Sequence, residues 1–260
     1  MTRGPRRTGR FGCDFAVSPT ILSGTTDDPG VTRHRLLLAT VVVVLTAAVS
    51  TTIWARAGAR PDHCAAVAER AHARAGLVTG SGPEVLVVGD SYSVGAGLRT
   101  DQSWPVRLPG RVRVDGFSGS GFSAGASGCG DVSYARRVAS ALRPGTALVV
   151  VEGGLNDYDQ PVAALAAGFD RLMAALAGHR VLVVGPPPAP ERPAGTVATV
   201  DAVLSRLAAA HGTPYLSMTG VELTYQRDRL HPDAAGQRVF GDVVAERVRT
   251  LVTPGSRLRP

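Results

Sequence analysis

The pentapeptide VLVVG occurs twice in this chain, at residues 85–89 and again at 181–185. Each copy is apolar and mostly β-branched up to its glycine, so neither offers a polar face to water. A run of this kind is a strand buried on both sides, and such strands belong to parallel sheets sheathed by helices. VRVDG at 112–116, ALVVVEGG at 147–154 and TPYLSM at 213–218 supply three further strands. Helical patterns lie between them. In 161–178, Val162, Leu165, Phe169, Leu172, Met173 and Leu176 recur at three- and four-residue steps, with Pro161 suited to the first turn. Val239, Phe240, Val243, Val244, Val248 and Leu251 do the same over about 233–252. Strands alternating with helices through short connections predict a doubly wound α/β domain over 84–252. PPPAPERPAG, at 186–195, is expected to run extended as a stiff loop beyond the carboxyl end of the second VLVVG strand, with a proline-rich recognition motif as the alternative.

The formal charge of +7 is unevenly placed. Residues 1–60 hold eight arginines and three acids, which leaves 20 arginines against 18 acids over the other 200 residues. The predicted domain is therefore close to neutral, and no nucleic-acid partner is expected. Arg33 and Arg35 directly precede an uncharged apolar run at 36–54, close to the roughly 20 residues that a spanning helix requires. The order predicts a basic segment over 1–35 on the cytoplasmic side, a membrane segment over 36–55, and an exported remainder. The run exceeds the roughly 7–15 apolar residues of a signal-peptide core, which favours an anchor. Ala55-Arg56-Ala57 offers a cleavage site, so secretion after cutting near Ala57 is the competing expectation. All 28 basic residues are arginine, a GC-rich bias that makes a GTG start at Val31 plausible. A short helix from about Asp62 to Ala75 and a Gly-rich linker should fill 56–83, and 253–260 reads as a tail.

Export bears on the cysteines. Cys13 falls on the cytoplasmic side, leaving Cys64 and Cys129 as an even pair in an oxidising compartment, where a disulfide is expected over two free thiols. Closing so long a loop would contribute about 4 kcal/mol in the chain-entropy treatment. No metal site is expected, since His63, Cys64 and His72 lack the paired spacing of structural zinc ligands.

Open parallel sheets bind ligands beyond the carboxyl ends of their strands. Polar residues collect there in this chain. Asp90-Ser91-Tyr92-Ser93 follow the first strand, FSGSGFSAG (117–125) the second, and GGLNDY (153–158) the third, while DRLHPD (228–233) precedes the last helix. Singly these signals are weak: Ser91 also reads as a helix N-cap, Asn156 as a turn residue, and Asp228 with His231 as a surface loop. GSGFSA fits the dinucleotide fingerprint G-x-G-x-x-A, but it follows the second strand and no acid ends the third at the spacing that would hold a ribose.

Together and in this order, Gly89-Asp90-Ser91, Gly119, Gly154-Leu155-Asn156-Asp157 and Asp228-Arg229-Leu230-His231 resemble the four blocks of the GDSL or SGNH hydrolases. Tyr92 departs from the commoner residue at its place in the first block. The resemblance implies a flavodoxin-like three-layer α/β/α sandwich around a parallel sheet of about five strands, and hydrolysis of acyl esters without a cofactor. It implies Ser91 as nucleophile, His231 as general base and then acid, and Asp228 as the carboxylate that orients the imidazole. The N–H groups of Ser91 and Gly119 and the side-chain amide of Asn156 would bind the oxyanion. Asp157 would be structural, since a carboxylate would repel that charge. The expected substrate is a small-molecule, lipid or acylated glycan ester. An acyltransferase using the same serine is the nearest alternative, and a noncatalytic binding module the more distant one.

Overall fold

The computed structural model of the chain describes residue 41 and residues 62–252. The rest of the 36–55 segment, together with 1–35, Ala57 and 253–260, lies outside the described residues. Among the described residues no helix is long and apolar enough to cross a membrane.

Five strands form one sheet: β1 (Glu84–Gly89), β2 (Arg111–Gly116), β3 (Thr146–Glu152), β4 (Val181–Val184) and β5 (Tyr215–Leu216). Their order is β2-β1-β3-β4-β5 and every pairing is parallel, the flavodoxin-like arrangement that was expected. Burial on both faces follows residue by residue. Val85, Val87, Leu148, Val150, Leu182 and Val184 point into one apolar cluster, with Trp104, Phe240, Val244 and Val248. Leu86, Val88, Val149, Val151, Val181 and Val183 point into the other, with Phe122, Phe169, Leu172 and Leu204. On the first side lie helix α6 (Ala234–Val252) and the 3₁₀ turn Trp104–Arg107. On the second lie α3 (Tyr134–Ala141), α4 (Val162–Ala175) and most of α5 (Ala194–Ala210).

Residues 62–76 form helix α1, as anticipated, and Thr79 beyond it pairs antiparallel with Val112 on the outer edge of β2. A disulfide joins Cys64 on α1 to Cys129 in the loop that follows β2. Three elements differ from expectation. β3 stops at Glu152 because Gly153 and Gly154 turn out of the strand at φ 155° and 117°. β5 keeps only two residues, and the proline-rich segment gives way to α5 at Ala194, so Ala194 and Gly195 are helical rather than extended.

The close approach of α4 to the loop after β2 gives a stability prediction. A Cβ on Gly168 would stand 2.1 Å from the carbonyl oxygen of Phe122 and 2.7 Å from its carbon. Backbone presses on backbone here, so neither side can move alone. Gly→Ala in a helix ordinarily gains about 1 kcal/mol. Gly168→Ala is instead expected to lose about 1–3 kcal/mol through overpacking, read as a lower urea midpoint.

Candidate active site

Ser91 opens α2 (Ser91–Val94) directly beyond β1, and the chain on either side of it is fixed. Asp90 is the N-cap residue: its Oδ1 accepts the Tyr92 N–H at 2.9 Å. Capping is therefore not the task of Ser91. The carbonyl of Gly89 accepts from Phe117 N, Ser120 Oγ and Arg137 Nη2 at 3.1, 3.3 and 3.0 Å, which ties the end of β1 to the loop after β2. Ser91 is 7% exposed, and among the described residues its hydroxyl has no hydrogen-bond partner.

Gly119 occupies the third position of the turn Phe117–Ser120, closed by Ser120 N donating to Phe117 O at 3.0 Å. Its φ of 83° is the left-handed conformation that this position demands and that glycine adopts without cost. The residues that follow hang from Asp157, whose two carboxylate oxygens accept the N–H groups of Phe122 at 3.0 Å and Ser123 at 2.8 Å. Asp157 is thus a structural anchor. Its neighbour Asn156 donates through Nδ2 to Asp90 Oδ2 at 3.1 Å and to the Ser120 carbonyl at 2.9 Å. The blocks after β1, β2 and β3 therefore meet at one amide group.

The fourth block is built around Asp228. Its Oδ1 accepts the N–H groups of Leu230 and His231, both at 3.0 Å, and its Oδ2 lies 2.7 Å from His231 Nδ1. Arg229, between them, has φ 57°, the one positive value at a non-glycine among the described residues. Its carbonyl accepts the Glu191 N–H at 3.1 Å, which docks the proline-rich loop against this block. Burial resists ionisation of Asp228, but the imidazole and the two amides outweigh it and hold the carboxyl down at about 2. The ionised acid accepts a hydrogen bond from Nδ1–H and so holds the proton on Nδ1, which leaves Nε2 as the accepting nitrogen.

Two residues of the site carried no functional reading in the sequence. Tyr92 is 1% exposed, its hydroxyl donates to the Leu230 carbonyl at 2.6 Å, and its ring centroid lies 6.3 Å from that of His231. It joins the serine segment to the histidine loop, whereas no hydrogen bond joins Ser91 to His231 directly among the described residues. Glu152, at the end of β3, is 1% exposed and accepts from Ser93 Oγ at 2.6 Å. Burial first, and then neighbouring Asp90, push the Glu152 carboxyl well above the usual range. Burial also pushes Asp90 up to about 6, against the pull of the Tyr92 N–H and of His231. An acid closing an otherwise apolar strand was the visible sign of Glu152.

Among the described residues, the arrangement places a hydroxyl without a hydrogen-bond partner, loop N–H groups that donate to no acceptor, an anchored amide and a carboxylate-bound imidazole around the end of β1, next to the point where strand order reverses. The profile of the GDSL-like Lipase/Acylhydrolase family matches residues 87–239, a span that contains all four blocks. No curated protein matches the sequence. Solved structures with the same fold include a carbohydrate acetylesterase family member from Sinorhizobium meliloti, 22% identical with a TM-score of 0.56, which covers 66% of this chain and 99% of that one. The native M. smegmatis aryl esterase is 24% identical with a TM-score of 0.55, over 66% of this chain and 100% of that one. TesA is 27% identical with a TM-score of 0.53, over 65% and 99%.

Proposed function

Because the chain belongs to the GDSL-like lipase/acylhydrolase family, we propose that it hydrolyses carboxylic esters at the Ser91 turn. The observation that carries this reading is the Asp228–His231 pair, held beside a serine segment whose hydroxyl is otherwise unengaged. His231 Nε2 removes the proton from Ser91 Oγ as that oxygen attacks the ester carbonyl. The tetrahedral oxyanion accepts hydrogen bonds from the Ser91 and Gly119 N–H groups and from the Asn156 amide. Collapse breaks the ester C–O bond, and the imidazolium gives its proton to the departing alcohol. Water, deprotonated by the same nitrogen, then releases the acid and restores Ser91 Oγ–H. Asp228 keeps its charge throughout and stabilises the imidazolium.

An open site of this kind suits short acyl groups. The His231 side chain is 23% exposed and that of Asp228 48%, so the base stands near solvent rather than under a deep lid. The carbohydrate acetylesterase family member among the similar structures agrees with a small acyl group. The Cys64–Cys129 disulfide supports an oxidising compartment, with 36–55 as the membrane segment or export signal.

A fluorophosphonate tests the reading without knowledge of the natural ester. Attack by an activated serine forms a Ser91 Oγ–P bond and expels fluoride. One equivalent of label on the Ser91 peptide is expected by mass spectrometry, together with faster turnover of p-nitrophenyl acetate than of a long-chain ester. Folded protein that neither takes the label nor cleaves either ester would refute the proposal.

A further inference from the structure

The long connection between β5 and α6 carries His231, yet it contains little regular structure. Its attachment to the serine segment therefore decides where the imidazole stands. Two ties reach it from that segment. Tyr92 Oη donates to the carbonyl of Leu230, the residue next to His231, at 2.6 Å. Gln226 Nε2 donates to the Ala96 carbonyl at 2.8 Å, while the Gln226 N–H donates to the His231 carbonyl at 2.8 Å. The first tie is the more constrained, because Tyr92 is itself held on every side. Its N–H is bonded to Asp90, its carbonyl accepts from Gln237 Nε2 on α6 at 3.3 Å, and its ring meets Phe240 edge-on at 6.0 Å. A buried phenol must spend its hydroxyl on a partner, and here the partner is the main chain of the base loop.

We propose that Tyr92, seconded by Gln226, is the positioning residue of the general base: its hydroxyl sets the reach of His231 toward the neighbouring Ser91. The inference rests on the hydrolase reading and goes beyond it, because it assigns a task to the position where this chain departs from the commoner residue of the nucleophile block. Tyr92 touches no reacting atom and acts through the loop alone.

Tyr92→Phe removes the oxygen and keeps the ring. Misplacement of a catalytic group by about 1 Å costs up to about 100-fold. Tyr92→Phe is therefore expected to lower kcat for p-nitrophenyl acetate about 10- to 100-fold with little change in KM, and to slow fluorophosphonate labelling of Ser91 by the same factor. The discriminating measurement repeats the substitution in His231→Ala. If Tyr92 acts through the imidazole, the residual rate does not fall further. A loss of the same size in both backgrounds would show a general structural effect and overturn the inference, as would a Tyr92→Phe enzyme with the parent kcat. Should Tyr92→Phe fail to fold, Gln226→Ala cuts the second tie and is judged by the same two criteria. A parent protein that cleaves the ester normally while the variants match it overturns this inference alone. A parent with neither turnover nor label overturns the hydrolase reading and the inference with it.

Discussion

Ser91→Ala is expected to lower kcat for p-nitrophenyl acetate about 10⁴- to 10⁶-fold while leaving the unfolding midpoint where it was. Both halves of this expectation come from the same geometry. The hydroxyl bonds no other described residue, so its removal strands no partner and opens only a very small space. The helix it begins is capped by Asp90, not by Ser91, so the usual cost of losing an N-cap serine does not arise. A large kinetic loss without a thermodynamic one is the signature of a nucleophile. His231→Ala should show a loss of similar order, and the double variant should be no slower than the worse single one, because base and nucleophile act as one unit. Kinetics and thermal unfolding of the three variants check this. Turnover by Ser91→Ala within about ten-fold of the parent would remove Ser91 from the chemistry.

Asn156 gives the second large effect, and its two substitutions should separate. Nδ2 has two hydrogens, and in the resting site they go to Asp90 and to the Ser120 carbonyl. On the proposed mechanism the oxyanion draws on one of them, so Asn156→Ala would lose a transition-state donor and also the link that joins the blocks. The expected cost is about 10²- to 10³-fold in kcat, with KM much less affected. Asn156→Asp preserves the shape but brings an acceptor up to two acceptors, beside a carboxyl group already crowded by burial. It would repel the oxyanion as well. Asn156→Asp is therefore expected to be slower than Asn156→Ala at neutral pH, and part of that deficit should return on acidification, as the new carboxyl group or Asp90 takes up a proton. An Asn156→Asp enzyme faster than the alanine variant at neutral pH would contradict the donor assignment.

The strands were legible because burial on two faces requires continuous apolar residues, and few sequences satisfy that by accident. Every apolar residue of both VLVVG runs, at β1 and β4, is buried. α4 and α6 were legible by their period. α3 was not: of its eight residues only Tyr134 and Val138 are buried, and the remainder is three alanines, two arginines and a serine. α5 was hidden by the prolines before it. Within the candidate site, Ser91, Gly119, Asn156, Asp228 and His231 could be proposed because their segments, each weak alone, follow strands or precede a helix in the order of four known blocks. The tasks of Tyr92 and Glu152 could not be read the same way. The Tyr92 hydroxyl meets its partner 138 residues along the chain, and Glu152 meets Ser93 across 59. Contacts at such separations leave no local pattern, and only the unusual residue type, an acid ending a valine run or a tyrosine beside the serine, hints at them.

The return of α6 to the first half of the molecule bears on how the protein matures during synthesis. Gln237 Oε1 accepts the Trp104 N–H at 2.8 Å, Phe240 packs on Trp104 at 5.3 Å, and Asp242 pairs with Arg107 at 2.5 Å. The partners that seat the histidine loop thus emerge early, whereas the loop and its helix emerge last. On the proposed mechanism a nascent chain can therefore form its serine turn long before it has the base that would activate it, and it becomes competent only when the final helix docks.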